Sequence, residues 1–295
     1  MGEYVLSCCS TADLSKEYLT KRDIRYLCFH FALNQQEYID DFGACVSPHE
    51  LYRRMLEGEE AKTSQVSVGE YTEFFEGALK EGKDIIHVTL STGISGTYNS
   101  ACVARDMLAE NYPDRKIYVV DSLGASSGYG LLMHALADMR DSGAEIDELY
   151  KWALEHRRNV HHWFFSSDLT FYIKGGRVSK TAGFIGSVMG ICPLLNVDYE
   201  GKLIPREKVR TKSKTIKRIV EKMEQNAQDG LDYSGKCFIS HSDCLEDAKE
   251  VARLVEEKFK KLDGKVEIFP IGAVIGSHTG PGTVALFFWG NERNN

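Results

Sequence analysis

No run of eighteen or so uninterrupted apolar residues occurs in this 295-residue chain, so no membrane-spanning helix is predicted. The opening residues, Met1-Gly2-Glu3-Tyr4-Val5-Leu6, lack the basic patch and apolar stretch of a secretory leader. Gly2 is not followed by the Ser or Thr at position 6 that N-terminal acylation wants, and a cytoplasmic location is expected. No C-x-x-C pair exists among the eight cysteines, most of which have apolar neighbours, so buried free thiols are predicted. The nine histidines offer no zinc-ligand spacing stronger than His156…His161-His162, and no metal is expected. The phosphate loop G-x-x-x-x-G-K-[ST] is absent. Gly93-Ile94-Ser95-Gly96-Thr97 misses the nucleophile elbow, because Thr97 stands where the last Gly is required. No catalytic residue and no cofactor are assigned. A net charge of −7 argues against a nucleic-acid partner.

What is present is an ordinary globular balance, 43% apolar and 27% charged, in a chain long enough for two domains. Up to about residue 160, β-rich runs alternate with helical patterns, which predicts a parallel sheet. Strands are expected at Tyr4–Cys9, 25–32, 84–90 and 116–121, and helices at 97–110 and 126–140. Ser47-Pro48-His49-Glu50 and Ser67-Val68-Gly69-Glu70 read as capping boxes that open two further helices. After residue 160 the alternation is lost. Strands are predicted at 162–167, Ile191–Val197, 202–209, Cys237–His241, 265–270 and Thr283–Trp289, with a hairpin turning at Gly201. Ile216, Ile219, Val220 and Met223 mark one amphipathic helix, and Ala248 through Leu262 another. The expected fold is α/β with a parallel-sheet domain over residues 1–160 and an α+β domain over 161–295.

Three polar clusters fall outside the periodic segments and are expected on loops. Thr63-Ser64-Gln65 precedes the second capping box. Ser91 to Thr97 is a Gly-bounded strand-to-helix turn, where backbone N–H groups and the helix dipole favour an anion. Gly276 to Thr283 places His278 in a Gly/Pro turn. A fourth feature is electrostatic: between Gly201 and Lys222, nine basic residues face two acidic ones, a local excess of seven. Such a run is either a solvated face or a docking patch for an acidic partner.

Taken in order, Ser10-Thr11-Ala12-Asp13-Leu14, Thr63-Ser64-Gln65, Leu90 to Tyr98, Val120-Asp121-Ser122, Ile173 to Arg177, Lys208-Val209-Arg210 and His278 to Gly282 resemble the DegV family. The resemblance implies one long-chain fatty acid in a tunnel between the two domains. It implies that Thr63, Ser95 and His278 bind the carboxylate, with Arg177, Lys208 and Arg210 near the mouth. It further implies a carrier that presents the acid to a separate ATP-binding kinase subunit for acyl-phosphate formation, with peripheral membrane contact during lipid exchange. The competing reading is a phosphotransferase or esterase using Ser95 or His278. Three positions depart from the family pattern: Cys9, Cys28 and Cys192.

Overall fold

The computed structural model describes residues 4–179 and 190–294; the opening Met1-Gly2-Glu3, on which the leader and acylation readings rest, lies outside them. In chain order the first half contains β1 (Tyr4–Cys9), α1 (Lys16–Lys21), β2 (Arg25–Leu27), β3 (His30–Leu33), β4 (Gln36–Ile39), α2 (Pro48–Leu56), β5 (Ala61–Ser64), α3 (Val68–Lys80), β6 (Asp84–Thr89), α4 (Thr97–Ala109), β7 (Ile117–Asp121), α5 (Ser127–Asp141) and α6 (Ile146–His156). The second contains β8 (Val160–Ser166), α7 (Thr170–Lys174), β9 (Ile191–Val197), β10 (Leu203–Arg210), α8 (Lys212–Asn226), β11 (Cys237–His241), α9 (Leu245–Lys258), β12 (Glu267–Pro270), α10 (Ala273–Thr279) and β13 (Thr283–Trp289). Among the described residues no helix is long and apolar enough to cross a membrane.

The first half is built on a parallel sheet in the order β2-β1-β6-β7. Every residue of β1 is buried, as a strand covered on both faces must be. The helices pack as two pairs, α3 with α4 and α5 with α6. The predicted strand at 25–32 is in fact two. Arg25–Leu27 stays in the parallel sheet, and His30–Leu33 joins β4 and β5 in a separate antiparallel sheet. Ser67 caps α3 in a true capping box, whereas at α2 Ser47 caps alone and the Glu50 carboxylate turns to Arg53.

The second half is a six-stranded sheet, β10-β9-β8-β13-β11-β12, antiparallel except for β11 against β12. Its period-two pattern separates two cores. On β13, Val284, Leu286 and Phe288 face α8 and α9, while Ala285 and Phe287 face the first half. The fold is therefore mixed α/β, with a parallel-sheet unit and a sheet-and-helix unit.

Helix α5 lies between the two sheets, touching β1 on one side and β8, β11 and β13 on the other. Two glycines permit that position. A Cβ at Gly130 would stand 2.8 Å from the Ala12 carbonyl oxygen, and one at Gly128 would stand 2.1 Å from His162 Nε2. A second close approach joins the 91–97 loop to the β9–β10 hairpin, where Ser91 Oγ donates to the Gly201 carbonyl at 2.9 Å. Arg293, 2% exposed, closes the same seam by donating to the carbonyls of Leu123, Arg157, Arg158 and Val197.

Gly201 combines a φ of +77° with a Cβ direction that ends 2.0 Å from Ser91 Oγ. Gly143 shares the left-handed backbone, with φ +92°, but faces open space. Gly201→Ala is expected to cost roughly 2–4 kcal/mol in urea unfolding, and Gly143→Ala only about 1–2 kcal/mol. Equal losses at the two positions would show that the seam does not constrain Gly201.

Candidate functional site

A cavity of about 500 Å³ lies between the two halves. Phe29, Leu90, Ile94 and Ala125 line it from the first half, and Tyr172, Leu203, Val274 and Ile275 from the second. A smaller apolar space of about 50 Å³ continues from it past Ala125, Tyr172 and Leu203 to Phe164, Val197 and Phe287. Its polar end gathers Thr63, Gln65, Ser95, Arg177 and His278. The cavity opens past the carboxyl end of β6, beside β1 where the strand order changes direction, the usual crevice for a ligand in an open α/β sheet.

Thr63 stands on β5, paired to Phe31 of β3, and not on the loop predicted for it. That pairing fixes its direction, and its Oγ1 lies 2.7 Å from His278 Nε2. His278 is likewise not in a turn. It occupies the last helical turn of α10, and Gly280, with φ +65°, ends the helix against Phe171. Burial, reinforced by the neighbouring Arg177 guanidinium, pushes the imidazole down to about 4, so it is neutral at pH 7. His278 Nδ1 is buried without a hydrogen-bond partner. It faces Gly175, where a Cβ would stand 2.3 Å away, which explains a glycine at a backbone angle any residue adopts. A buried N–H left unpaired costs more than an unpaired lone pair, so the proton belongs on Nε2. His278 then donates to Thr63, and the Thr63 hydroxyl keeps its own proton to donate into the cavity.

Ser95 lies in the β6–α4 turn as predicted, but the amide cradle expected there is largely occupied. The Gly93 amide donates to Ser91 Oγ, and those of Ile94 and Ser95 donate to the Ser91 carbonyl. The Thr97 amide donates to Ser95 Oγ at 3.3 Å. The Ser95 hydroxyl, one residue ahead of the Gly96 N-cap, therefore takes the first amide of α4 and retains its own proton, so this contact and ligand contact are compatible. Gln65 spans the gap, donating to Ser100 Oγ on α4 at 2.8 Å. Arg177 is half-buried and held by two carbonyls, Nε to Ile94 at 3.3 Å and Nη1 to Gly175 at 2.6 Å. Burial lowers its pKa. Among the described residues no carboxylate lines this cavity, and Arg177 is its one formal charge.

The structure does not bring Lys208 and Arg210 into the cavity; both are exposed on β10. The basic run around them is also less bare than its charge count suggested. Arg218 and Lys222 share Glu207, and Lys212 pairs with Asp247. Lys208, Arg210, Lys214 and Lys217 stay exposed. Among the described residues no group of three His, Cys, Asp or Glu is placed to hold a metal ion.

A family model described as "Uncharacterised protein, DegV family" matches residues 9–291. The chain belongs to the DegV family. A DegV domain-containing protein of Clostridium perfringens is 38% identical over 99% of both chains. A DegV lipid binding protein from Thermotoga maritima has a TM-score of 0.86 at 29% identity, with 100% of both chains covered. A second Thermotoga maritima protein, described as revealing fatty acid binding function, has a TM-score of 0.83 at 28% identity over 98% of this chain and 100% of its own. In this DegV chain the departure at Cys9 falls inside a buried polar file. Its Sγ lies 3.2 Å from Tyr71 Oη and 3.5 Å from His87 Nε2, and Tyr71 reaches Thr97 Oγ1 at 2.7 Å. Burial pushes the Cys9 thiol up to about 12 and the His87 imidazole down to about 3, so the file carries no charge. Cys28 is half-buried between β2 and β3, and Cys192 Sγ donates to the Ser166 carbonyl.

The depressed His278 pKa has a defined sign. The unfolded imidazole takes a proton near 6.5 and the folded one only near 4, so the contribution is complete above 6.5 and is lost as pH falls through that window. Subtracting the unfolding free energies of His278→Gln from those of the intact protein should isolate a decline on the order of 3 kcal/mol between pH 7 and pH 4. A pH-independent difference would mean that His278 titrates normally in the folded protein.

Proposed function

We propose that this DegV protein carries a long-chain fatty acid in the interdomain cavity, with the carboxylate at Thr63, Ser95, His278 and Arg177. We further propose that the cavity divides the chain into domains near residue 160. The observation that carries the reading is a predominantly apolar cavity whose polar end, among the described residues, holds one cation, no carboxylate and two hydroxyls with protons to give. A carboxylate there completes the charge of Arg177 and accepts from Thr63 and Ser95, at about 1.5–3 kcal/mol for each charged hydrogen bond. The tail supplies the larger gross term, about 0.8 kcal/mol per buried methylene, much of it offset by immobilising the chain. Affinity thus comes from the tail and orientation from the head group. His278 bonds Thr63, and Ser95 takes the Thr97 amide, so the pair lacks the base-to-nucleophile contact that covalent catalysis by Ser95 needs.

In the same reading the protein acts in the cytoplasm and presents the carboxylate to a separate ATP-dependent kinase subunit that forms the acyl phosphate. It contacts the membrane surface only to exchange lipid. The exposed Lys208 and Arg210 meet the kinase near the mouth. Charge reversal of both residues to Glu should leave bound lipid unchanged while lowering acyl-phosphate production by an acidic kinase partner, most at low salt. Equal production by mutant and parent at every ionic strength would remove the basic strand from the interface.

The head-group assignment has its own test. Ser95→Ala and Thr63→Ala should each lower free fatty-acid affinity by roughly tenfold. The double variant should lose less than the sum, because both donors share one acceptor. A methyl ester should bind the parent weakly and lose little more in either variant. Acid and ester binding the parent equally would end the assignment.

A further inference from the structure

Helix α10 carries His278 at one end and is held at the other by residues of the opposite half of the chain. Its own approach, Pro270-Ile271-Gly272, provides no capping side chain. The Gly272 amide donates to Asp13 Oδ1 at 2.9 Å, the Ala273 amide to Asp40 Oδ1 at 3.0 Å, and the Val274 amide to Asp40 Oδ2 at 3.4 Å. Three consecutive amides, which a helix N-terminus leaves without internal partners, are thus taken by two carboxylates 4% and 2% exposed. The carboxylates are themselves held, Asp40 by the Ser10 hydroxyl at 3.3 Å and Asp13 by Ser126 Oγ. No side chain fits between them and the helix, since a Cβ at Gly272 would meet Asp13 Oδ1 at 2.8 Å and Asp40 Oδ1 at 3.2 Å.

We propose that Asp13 and Asp40 are positioning residues for the head-group site: by seating the first turn of α10 across the domain interface, they set where His278 meets Thr63. The inference rests on the fatty-acid reading above. Seven helical residues span about 10 Å, so α10 has too few turns to take up a displaced start before it reaches His278. The same helix turns Val274 and Ile275 into the cavity, so a generally loosened helix would weaken tail and head contacts alike. Burial pushes the Asp40 carboxyl up to about 6, while the amides of Ala273 and Val274 pull it back.

The test compares palmitate with methyl palmitate on the full-length, lipid-stripped protein. Asp40→Asn keeps one oxygen for the Ala273 amide but turns an N–H₂ group toward Val274; Gly272→Ala leaves both carboxylates and wedges them off the helix. In each, palmitate affinity should fall roughly tenfold while methyl palmitate changes less than about threefold. In a His278→Gln background, Asp40→Asn should cost no further palmitate affinity. Parallel loss of acid and ester binding, or full retention of acid preference in a folded Asp40→Asn or Gly272→Ala protein, overturns the inference while leaving the fatty-acid reading intact. If the parent itself binds acid and ester equally, both fall together.

Discussion

A half-buried guanidinium at the polar end of a mostly apolar cavity, with no carboxylate among the described lining residues, is the constraint around which the site is organised. Arg177 is fixed by carbonyl oxygens, which orient it without cancelling its charge. That charge helps to keep the adjacent imidazole neutral, and a neutral His278 with its proton on Nε2 leaves the Thr63 hydroxyl available. Among the described residues the cavity thus holds one positive charge and hydroxyl protons directed into it. Their complement is a single carboxylate on an apolar body.

Close backbone contact sets the distances that this arrangement needs. Gly175 lets the 174–177 turn lie against the imidazole, and Gly272 lets two carboxylates reach a helix start. Gly128 and Gly130 let one helix serve both sheets. In each case the glycine marks a place where elements from distant parts of the chain touch without a side chain between them. The two halves are consequently not independent bodies joined by a strap, because α5 belongs to the packing of both.

How much of this was legible in the sequence depended on how far away the determining group lay. The Ser95 turn could be read because a buried strand, two glycines and a helical period lie within twenty residues. The parallel sheet and the β9–β10 hairpin were readable for the same reason. Helix α10 was hidden: Ala-Val-Ile-Gly-Ser-His-Thr has poor helix formers and no local cap, and its cap is supplied by Asp40, 233 positions away from Ala273. Strand β5 was hidden because four residues with alternating half-exposure become a strand only when β3 is beside them. The basic run looked more potent than it is because Glu207 and Asp247, which tie down Arg218, Lys222 and Lys212, act through tertiary contact.

The 215 positions between Thr63 and His278 also have a meaning in time. At about 5–20 residues per second, a ribosome takes roughly 10–40 s to travel from one to the other. During that interval the wall opposite Phe29, Leu90 and Ile94 stays incomplete, because Val274 and Ile275 are made well after Tyr172 and Leu203. Arg293, which seals Leu123 to the second half, comes later still. The cavity is therefore closed only once Val274 to His278 have been made, and whatever is held between its walls and its head-group end is held after that point.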